Sequence, residues 1–195
     1  QAAYSNTTGT NITAFGYLAG YSNTGANNTF LGSQAGLAIS SGANNVSIGF
    51  NAGSSNNGST GNYNSIIGGS AGYSNQGSYN TALGGLALYN NTTASNNTAV
   101  GYQTLYSNTT GNNNVAVGAN NSYPTLYNLT TGGANTAIGY SAGWAVTTGS
   151  SNSLLGGGAG NAITTGSKNT VVGGYSGNQG GLDIRTASNY IVLSD

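Results

Sequence analysis

Only four side chains of this 195-residue chain carry a full charge, Lys168, Asp183, Arg185 and Asp195, and the chain has no His and no Cys. An acid and base pair for sugar hydrolysis would have to be Asp183 with Asp195. A hydroxyl nucleophile would have only Lys168 as its base. Calcium requires clustered carboxylates, which two Asp residues do not supply. The run Gly156-Gly157-Gly158-Ala159-Gly160 imitates a phosphate-binding loop, yet no Lys and no predicted helix follows it. The expected fate of Asp183 is a solvated turn or a salt link to Arg185. No catalytic, cofactor-binding or metal-binding residue is expected, and the chain reads as a non-enzymatic protein.

The aromatic residues offer a different chemistry. Tyr21, Tyr73, Tyr89, Tyr106, Tyr123 and Trp144 recur after short Ala-Gly segments. Aligned in a stripe, they would form either a self-stacking ladder or a face for surface glycans, since such rings combine an apolar body with a polar tip. The stretch 123–134 holds the only Pro, Pro124, and reads as an inserted loop, either a recognition element carried by Tyr123, Tyr127 and Asn128 or a tolerated surface insertion. Thr pairs at Thr109-Thr110, Thr130-Thr131, Thr147-Thr148 and Thr164-Thr165 raise a competing expectation of ice binding through a hydroxyl array. Their position beside turn glycines, away from a flat strand face, argues against it.

Composition narrows the partners. The net charge is zero, so no electrostatic field attracts nucleic acid or anionic lipid, and no apolar run is long enough for membrane insertion. Disordered chains combine low hydrophobicity with high net charge; this one is neutral and places aliphatic residues at regular intervals, so it is expected to be ordered. The absence of Met is expected of a processed product or a fragment, which favours export.

The elements that position these residues follow from an internal repeat. The phrase Asn, Thr/Ser/Val, small or apolar, aliphatic, Gly begins at Asn28, Asn45, Asn64, Asn80, Asn97, Asn114, Asn135, Asn152 and Asn169, with a variant opening at Ile12 and a last one at Asn189. Coils of 16 to 21 residues therefore start near residues 12, 28, 45, 64, 80, 97, 114, 135, 152 and 169, flanked by partial coils 1–11 and 189–195. Each coil is predicted to hold a short strand, a corner at the following Gly, a second short strand ending in Ala-Gly, and a polar turn. One coil buries nothing alone, whereas stacked coils share a continuous core. The expected architecture is all-β, a β-solenoid of about ten coils, roughly 50 Å long at the ~4.8 Å strand spacing.

Side chains alternate along a strand, so the phrase has two faces. Its fourth residue is always apolar and is predicted to form the coil core: Phe15, Leu31, Ile48, Ile67, Leu83, Val100, Val117, Ile138, Leu155, Val172 and Val192. Its third residue then faces outward, and an outward apolar stripe marks a contact. Ala14, Phe30, Ile66, Ala82, Ala99, Ala116, Ala137, Leu154, Val171 and Ile191 are the expected lateral interface of a homo-oligomer, most simply a trimer; the alternative is a flattened coil in which this stripe lies against the coil's own second strand.

Units such as 135–143, "NTAIGYSAG", and 97–113, "NTAVGYQTLYSNTTGNN", resemble repeats of trimeric autotransporter adhesin heads and, more closely, of bacteriophage tail fibres. The ending 186–195, "TASNYIVLSD", is similar to the segment that closes such arrays in tail fibres. The resemblance covers nearly the whole chain. It implies a trimeric, left-handed β-roll on an extracellular or virion-borne fibre used for attachment. A coiled-coil stalk and a C-terminal chaperone or anchor domain, which such proteins often carry, are not found in this sequence. The opening "QAAYSNTTGTN" matches the second half of a unit and the closing "NYIVLSD" the first half. Either subunits complete each other's coils and stack end to end into a filament, or the sequence is a fragment cut at an arbitrary phase of the repeat.

Overall fold

The computed structural model describes residues 1–54, 60–118 and 121–194. Among these the chain is all-β and forms a β-solenoid of stacked coils. Each coil contributes one three-residue strand: β1 (Thr13–Phe15), β2 (Thr29–Leu31), β3 (Val46–Ile48), β4 (Ser65–Ile67), β5 (Thr81–Leu83), β6 (Thr98–Val100), β7 (Val115–Val117), β8 (Thr136–Ile138), β9 (Ser153–Leu155) and β10 (Thr170–Val172). A hairpin of β11 (Asn178–Gln179) and β12 (Leu182–Asp183) precedes the last strand, β13 (Ile191–Leu193). β1 to β10 and then β13 form one parallel eleven-stranded sheet in chain order.

Pairing between coils does not stop at the strands. The Gly36 N–H donates to Ala52 O at 2.9 Å on the far side of the coil, and the Thr109 N–H to Thr130 O at 2.9 Å in the polar turn. Main-chain groups thus find partners one coil away around the circuit, as buried amides must.

The phrase-opening Asn is the internal spine. Asn28, Asn45, Asn64, Asn80, Asn97, Asn114, Asn135, Asn152 and Asn169 are all buried. Each presents Oδ1 to the backbone N–H at the same position of the next coil, from Asn45 N–H on Asn28 at 2.7 Å to Asn169 N–H on Asn152 at 3.0 Å. Asn114 shows the full set. Its Oδ1 accepts from the Asn135 N–H at 2.9 Å and from Asn135 Nδ2 at 3.1 Å, and its Nδ2 donates to Gly132 O at 3.0 Å. An amide is the side chain that accepts and donates at once without a buried charge.

Strand faces are the reverse of expectation. The third residue of the phrase points inward: Phe30, Ile66, Ala82, Ala99, Ala116, Ala137, Leu154 and Val171 are buried, with Ala14 half-buried at the first coil. The fourth points outward: Phe15, Leu31, Ile67, Leu83, Ile138, Leu155 and Val172 are exposed, and Ile48, Val100 and Val117 are half-buried. The Thr, Ser and Val residues at the second position share that outer face, not the core. In the last unit the phase slips by one residue. Thr170 registers with Ile191, so Tyr190 and not Asn189 occupies the spine position. A one-residue slip exchanges the faces, which leaves Val192 packed on the core and Ile191 exposed.

The physical reason is the width of the coil. The inward strand residue faces a second segment that is a turn and not the expected strand, with positive φ at Leu18, Gln34, Gln103 and Ser141. Bulk on one side requires its absence on the other. Phe30 lies so close to Gly36 that a Cβ there would sit 2.2 Å from its ring, and a Cβ on Gly72 would sit 2.9 Å from Ile66. Where the strand residue is Ala82, Ala99 or Ala116, the opposing position becomes Leu88, Leu105 or Leu126, all buried. Those three leucines take φ of 55°, 52° and 49°, a conformation costing about 1–2 kcal/mol.

The corner glycines agree with expectation. Gly16 through Gly173 hold φ between 105° and 145°, and a Cβ on Gly84 would stand 2.6 Å from Gly101 O of the next coil.

Two substitutions test this account by chemical denaturation. Asn114→Ala leaves the Asn135 N–H and Gly132 C=O without partners, at about 1–3 kcal/mol each, and is expected to destabilise the rod by roughly 2–4 kcal/mol. The exposed Thr148→Ala should change stability by less than about 0.5 kcal/mol. Leu105→Gly relieves the left-handed strain but opens the core, and truncating a buried Leu costs about 2–5 kcal/mol. Net destabilisation is therefore expected; a more stable variant would refute the packing argument.

Candidate interaction surfaces

The charged residues form no constellation that could do acid–base work. Asp183 and Arg185 meet at 2.7 Å, both half-exposed, and Arg185 Nε donates to the other carboxylate oxygen at 3.0 Å, one of the two arrangements expected from the sequence. The side-chain hydrogen bonds from Arg185 hold the Asp183 carboxyl down at about 2, with the Arg185 backbone N–H assisting. Asp195 lies outside the described residues. Lys168 is exposed beside the spine. The glycines of 156–160 serve packing: a Cβ on Gly156 would stand 2.7 Å from Gly173 O, and one on Gly160 2.8 Å from Leu154. No cluster of three His, Cys, Asp or Glu residues occurs among the described residues, nor is any helix there long and apolar enough to cross a membrane.

The first extended surface is the outer face of the parallel sheet. Two columns run along it. One is Thr13, Thr29, Val46, Ser65, Thr81, Thr98, Val115, Thr136, Ser153 and Thr170; the other is the aliphatic column from Phe15 to Val172 described above. An interior member such as Leu83 keeps 46% of its surface exposed although its column neighbours lie one strand away on both sides. An apolar stripe therefore exists, as expected, but different residues build it.

The second surface is aromatic. Tyr73, Tyr89, Tyr106 and Tyr127 stack in one column at 5.1 Å between ring centres. Tyr127, not Tyr123, continues the row, because Ser107 N–H pairs with Tyr127 O just as Asn90 N–H pairs with Tyr106 O. Tyr21 stacks instead with Tyr4 at 5.4 Å, and Tyr63 with Tyr79 at 5.3 Å on another flank. The Tyr127 signal was present in the sequence, since "YNLTTG" at 127 parallels "YSNTTG" at 106. Burial first, then the neighbouring tyrosines, raise the Tyr106 hydroxyl above its ordinary value.

In the polar turns, the first Thr of each pair is already committed to cohesion. The Thr109 hydroxyl donates to Thr130 O at 3.1 Å, Thr130 to Thr147 O at 3.2 Å and Thr147 to Thr164 O at 3.3 Å. Thr110, Thr131, Thr148 and Thr165 are exposed.

Irregularity concentrates around residues 118–185. Leu105 N–H pairs with Thr125 O and Leu88 N–H with Thr104 O, so six residues now link Gly118 to Thr125 where two link Gly101 to Thr104. Of the expected recognition loop, Tyr123 belongs to this insertion, while Tyr127 and Asn128 lie in the regular coil; residues 119–120 are outside the described set. Ser141 Oγ donates to Tyr123 O at 3.0 Å, and the Tyr123 ring meets Trp144 edge-on at 5.1 Å. By backbone register the aromatic column passes from Tyr127 to Trp144, then to Asn161 and Ser176. Loss of the rings there, with the inserted β11–β12 hairpin opposite, opens a groove of about 770 Å³. The hairpin turns at Gly180 and Gly181, whose φ of 59° and 84° suit a tight two-residue turn.

The fold defines the class of the protein, a parallel β-solenoid with a half-exposed apolar sheet face. No family model, curated protein or solved structure matches the chain.

These titrations set a pH window. Asp183, lowered in the fold, contributes stability that is complete above its ordinary 3.8 and is lost as pH falls towards about 2. Tyr106, raised, favours the fold below its ordinary 10.0 and ceases to do so above it. With no His in the chain, the melting temperature is expected to be level from about pH 5 to pH 9 and to fall on either side. A step near neutral pH in a melting series would contradict this.

Proposed function

We propose that this chain is a non-enzymatic structural subunit of an extracellular fibre, a rod that associates with its own copies and serves surface attachment. The observation that carries the reading is the outer aliphatic column, which continues on every strand of the sheet from Phe15 to Val172. A soluble monomer rarely leaves so long an apolar stripe in water, and copies packed face to face, most simply as a trimer, would cover it. The outer edges of β1 and β13 support stacking in the axial direction as well. Neither strand carries the charge or Pro that usually protects a sheet edge, and Phe15, Ile191 and Leu193 there are the most exposed aliphatic or Phe side chains, at 74%, 79% and 76%. The resemblance to tail-fibre and adhesin repeats points to the same use, on a cell-surface appendage or virion.

The Thr column on the sheet face favours a second reading, ice binding, because hydroxyls there repeat at strand spacing. The neighbouring column varies from Val to Phe and gives the face an uneven relief, which ranks lateral association first. Unaltered ice-crystal growth in the presence of the protein removes the second reading.

Leu83→Asp with Val100→Asp places two carboxylates on the face without touching the core. Wild-type protein is expected to sediment as a trimer or larger assembly, and the double variant as a monomer with its β-sheet circular dichroism intact. Ile191→Lys with Leu193→Lys should shorten any filaments seen by electron microscopy. Wild-type protein that remains monomeric at high concentration would overturn the proposal.

A further inference from the structure

The groove at the end of the aromatic column takes no part in the fibre reading and is argued independently of it. Its floor is main chain and small side chains, Gly157, Gly158, Ala145 and Ala162; Tyr123, Tyr140 and Trp144 line it together with the polar Asn161, Gln179 and Arg185. The Tyr140 ring lies over the Gly157 backbone, so close that a Cβ on Gly157 would sit 2.3 Å from it. Tyr140 is 58% exposed. Gln179 Oε1 accepts from the Ser176 N–H at 3.0 Å, which fixes the amide and leaves its NH₂ to donate. Among the described residues, the Trp144 indole N–H and the Asn161 amide make no side-chain hydrogen bond. Arg185 commits Nε and one amino nitrogen to Asp183 and keeps the second amino group uncommitted.

We propose that this groove binds a neutral polysaccharide, its pyranose rings lying on the aromatic side chains and its hydroxyls reaching the amides and the guanidinium. Three features select this ligand class. Exposed rings beside small residues suit the weakly polar C–H face of a sugar. The donors that Gln179 and Arg185 hold in place by their own hydrogen bonds suit hydroxyls, which accept from and donate to neighbours alike. The Asp183 carboxylate neutralises Arg185, so the site has no excess positive charge for a phosphate or sulfate. The volume falls within the roughly 300–1,000 Å³ common for small-ligand sites, and the groove lies open to solvent, as an internal stretch of polymer requires.

Trp144 is the only tryptophan, so its fluorescence reports on the groove directly. Cellohexaose and chitohexaose are titrated into the full chain, with oligogalacturonate as the charged comparison. At least one of the two neutral probes is expected to shift Trp144 emission saturably. By calorimetry, Tyr140→Ala should then weaken that binding by about tenfold or more, an aromatic contact being worth over 1.4 kcal/mol with its buried area. Tyr17→Ala, at the same corner position of the first coil, should leave it unchanged, and Gln179→Ala, on the exposed hairpin, gives a second test that spares the core. No response to either neutral hexasaccharide at millimolar concentration overturns the proposal. So does binding that survives both Tyr140→Ala and Gln179→Ala at full strength, or binding confined to oligogalacturonate and abolished by high salt.

Discussion

Everything in this structure depends on one requirement, that each coil satisfy the backbone of the next at strand spacing while enclosing almost nothing. A three-residue strand supplies too few hydrogen bonds to fix the register of a coil. The buried Asn spine makes up the difference, since its Oδ1 accepts the backbone N–H of the following coil and its Nδ2 holds a turn carbonyl. Because the spine is neutral, nine buried amides can be stacked where nine carboxylates would repel. The same logic extends outward to the stacked tyrosines and to the near absence of charge from a surface on which like residues are neighbours.

Thinness of the coil has a second consequence. Strand and turn lie close together within each coil, and the chain meets this by complementary choice: Phe30 or Ile66 against Gly, Ala99 or Ala116 against Leu. The larger aliphatic residues of the phrase are therefore displaced to the outer face. Apolar surface that a thicker domain would bury becomes the surface available for association, which is how a physical limit on the core bears on the proposed fibre role.

Departures from the repeat mark the second surface. Where every coil is alike, columns close on themselves: tyrosine covers tyrosine and a Thr hydroxyl is consumed by the next carbonyl. The insertion before Thr125 and the hairpin before Ile184 break that closure. The aromatic column then ends at Asn161, with Tyr140, Trp144 and Arg185 around the gap it leaves.

Spacing in the sequence was enough to determine the solenoid class and the corner glycines, and to offer the Asp183–Arg185 link and the stacking of Tyr73, Tyr89 and Tyr106 among its alternatives, because repetition of residue type at fixed intervals has few other physical explanations. Which face of each strand looks inward was decided only in three dimensions. Alternation is symmetric with respect to inside and outside, and the uniformly large Leu31, Ile67 and Leu83 resemble a core until the turn opposite each strand is seen to pack against Phe30, Ile66 and Ala82 instead. The Gly-to-Leu exchange at 88, 105 and 126 opposite Ala82, Ala99 and Ala116 was visible as text, but its meaning required knowing that those positions face each other. Likewise the slip that puts Tyr190 in place of Asn189, and the groove beside Trp144, depend on contacts between coils. Local patterns specify which residues recur, whereas the distance across the coil decides where each one can fit.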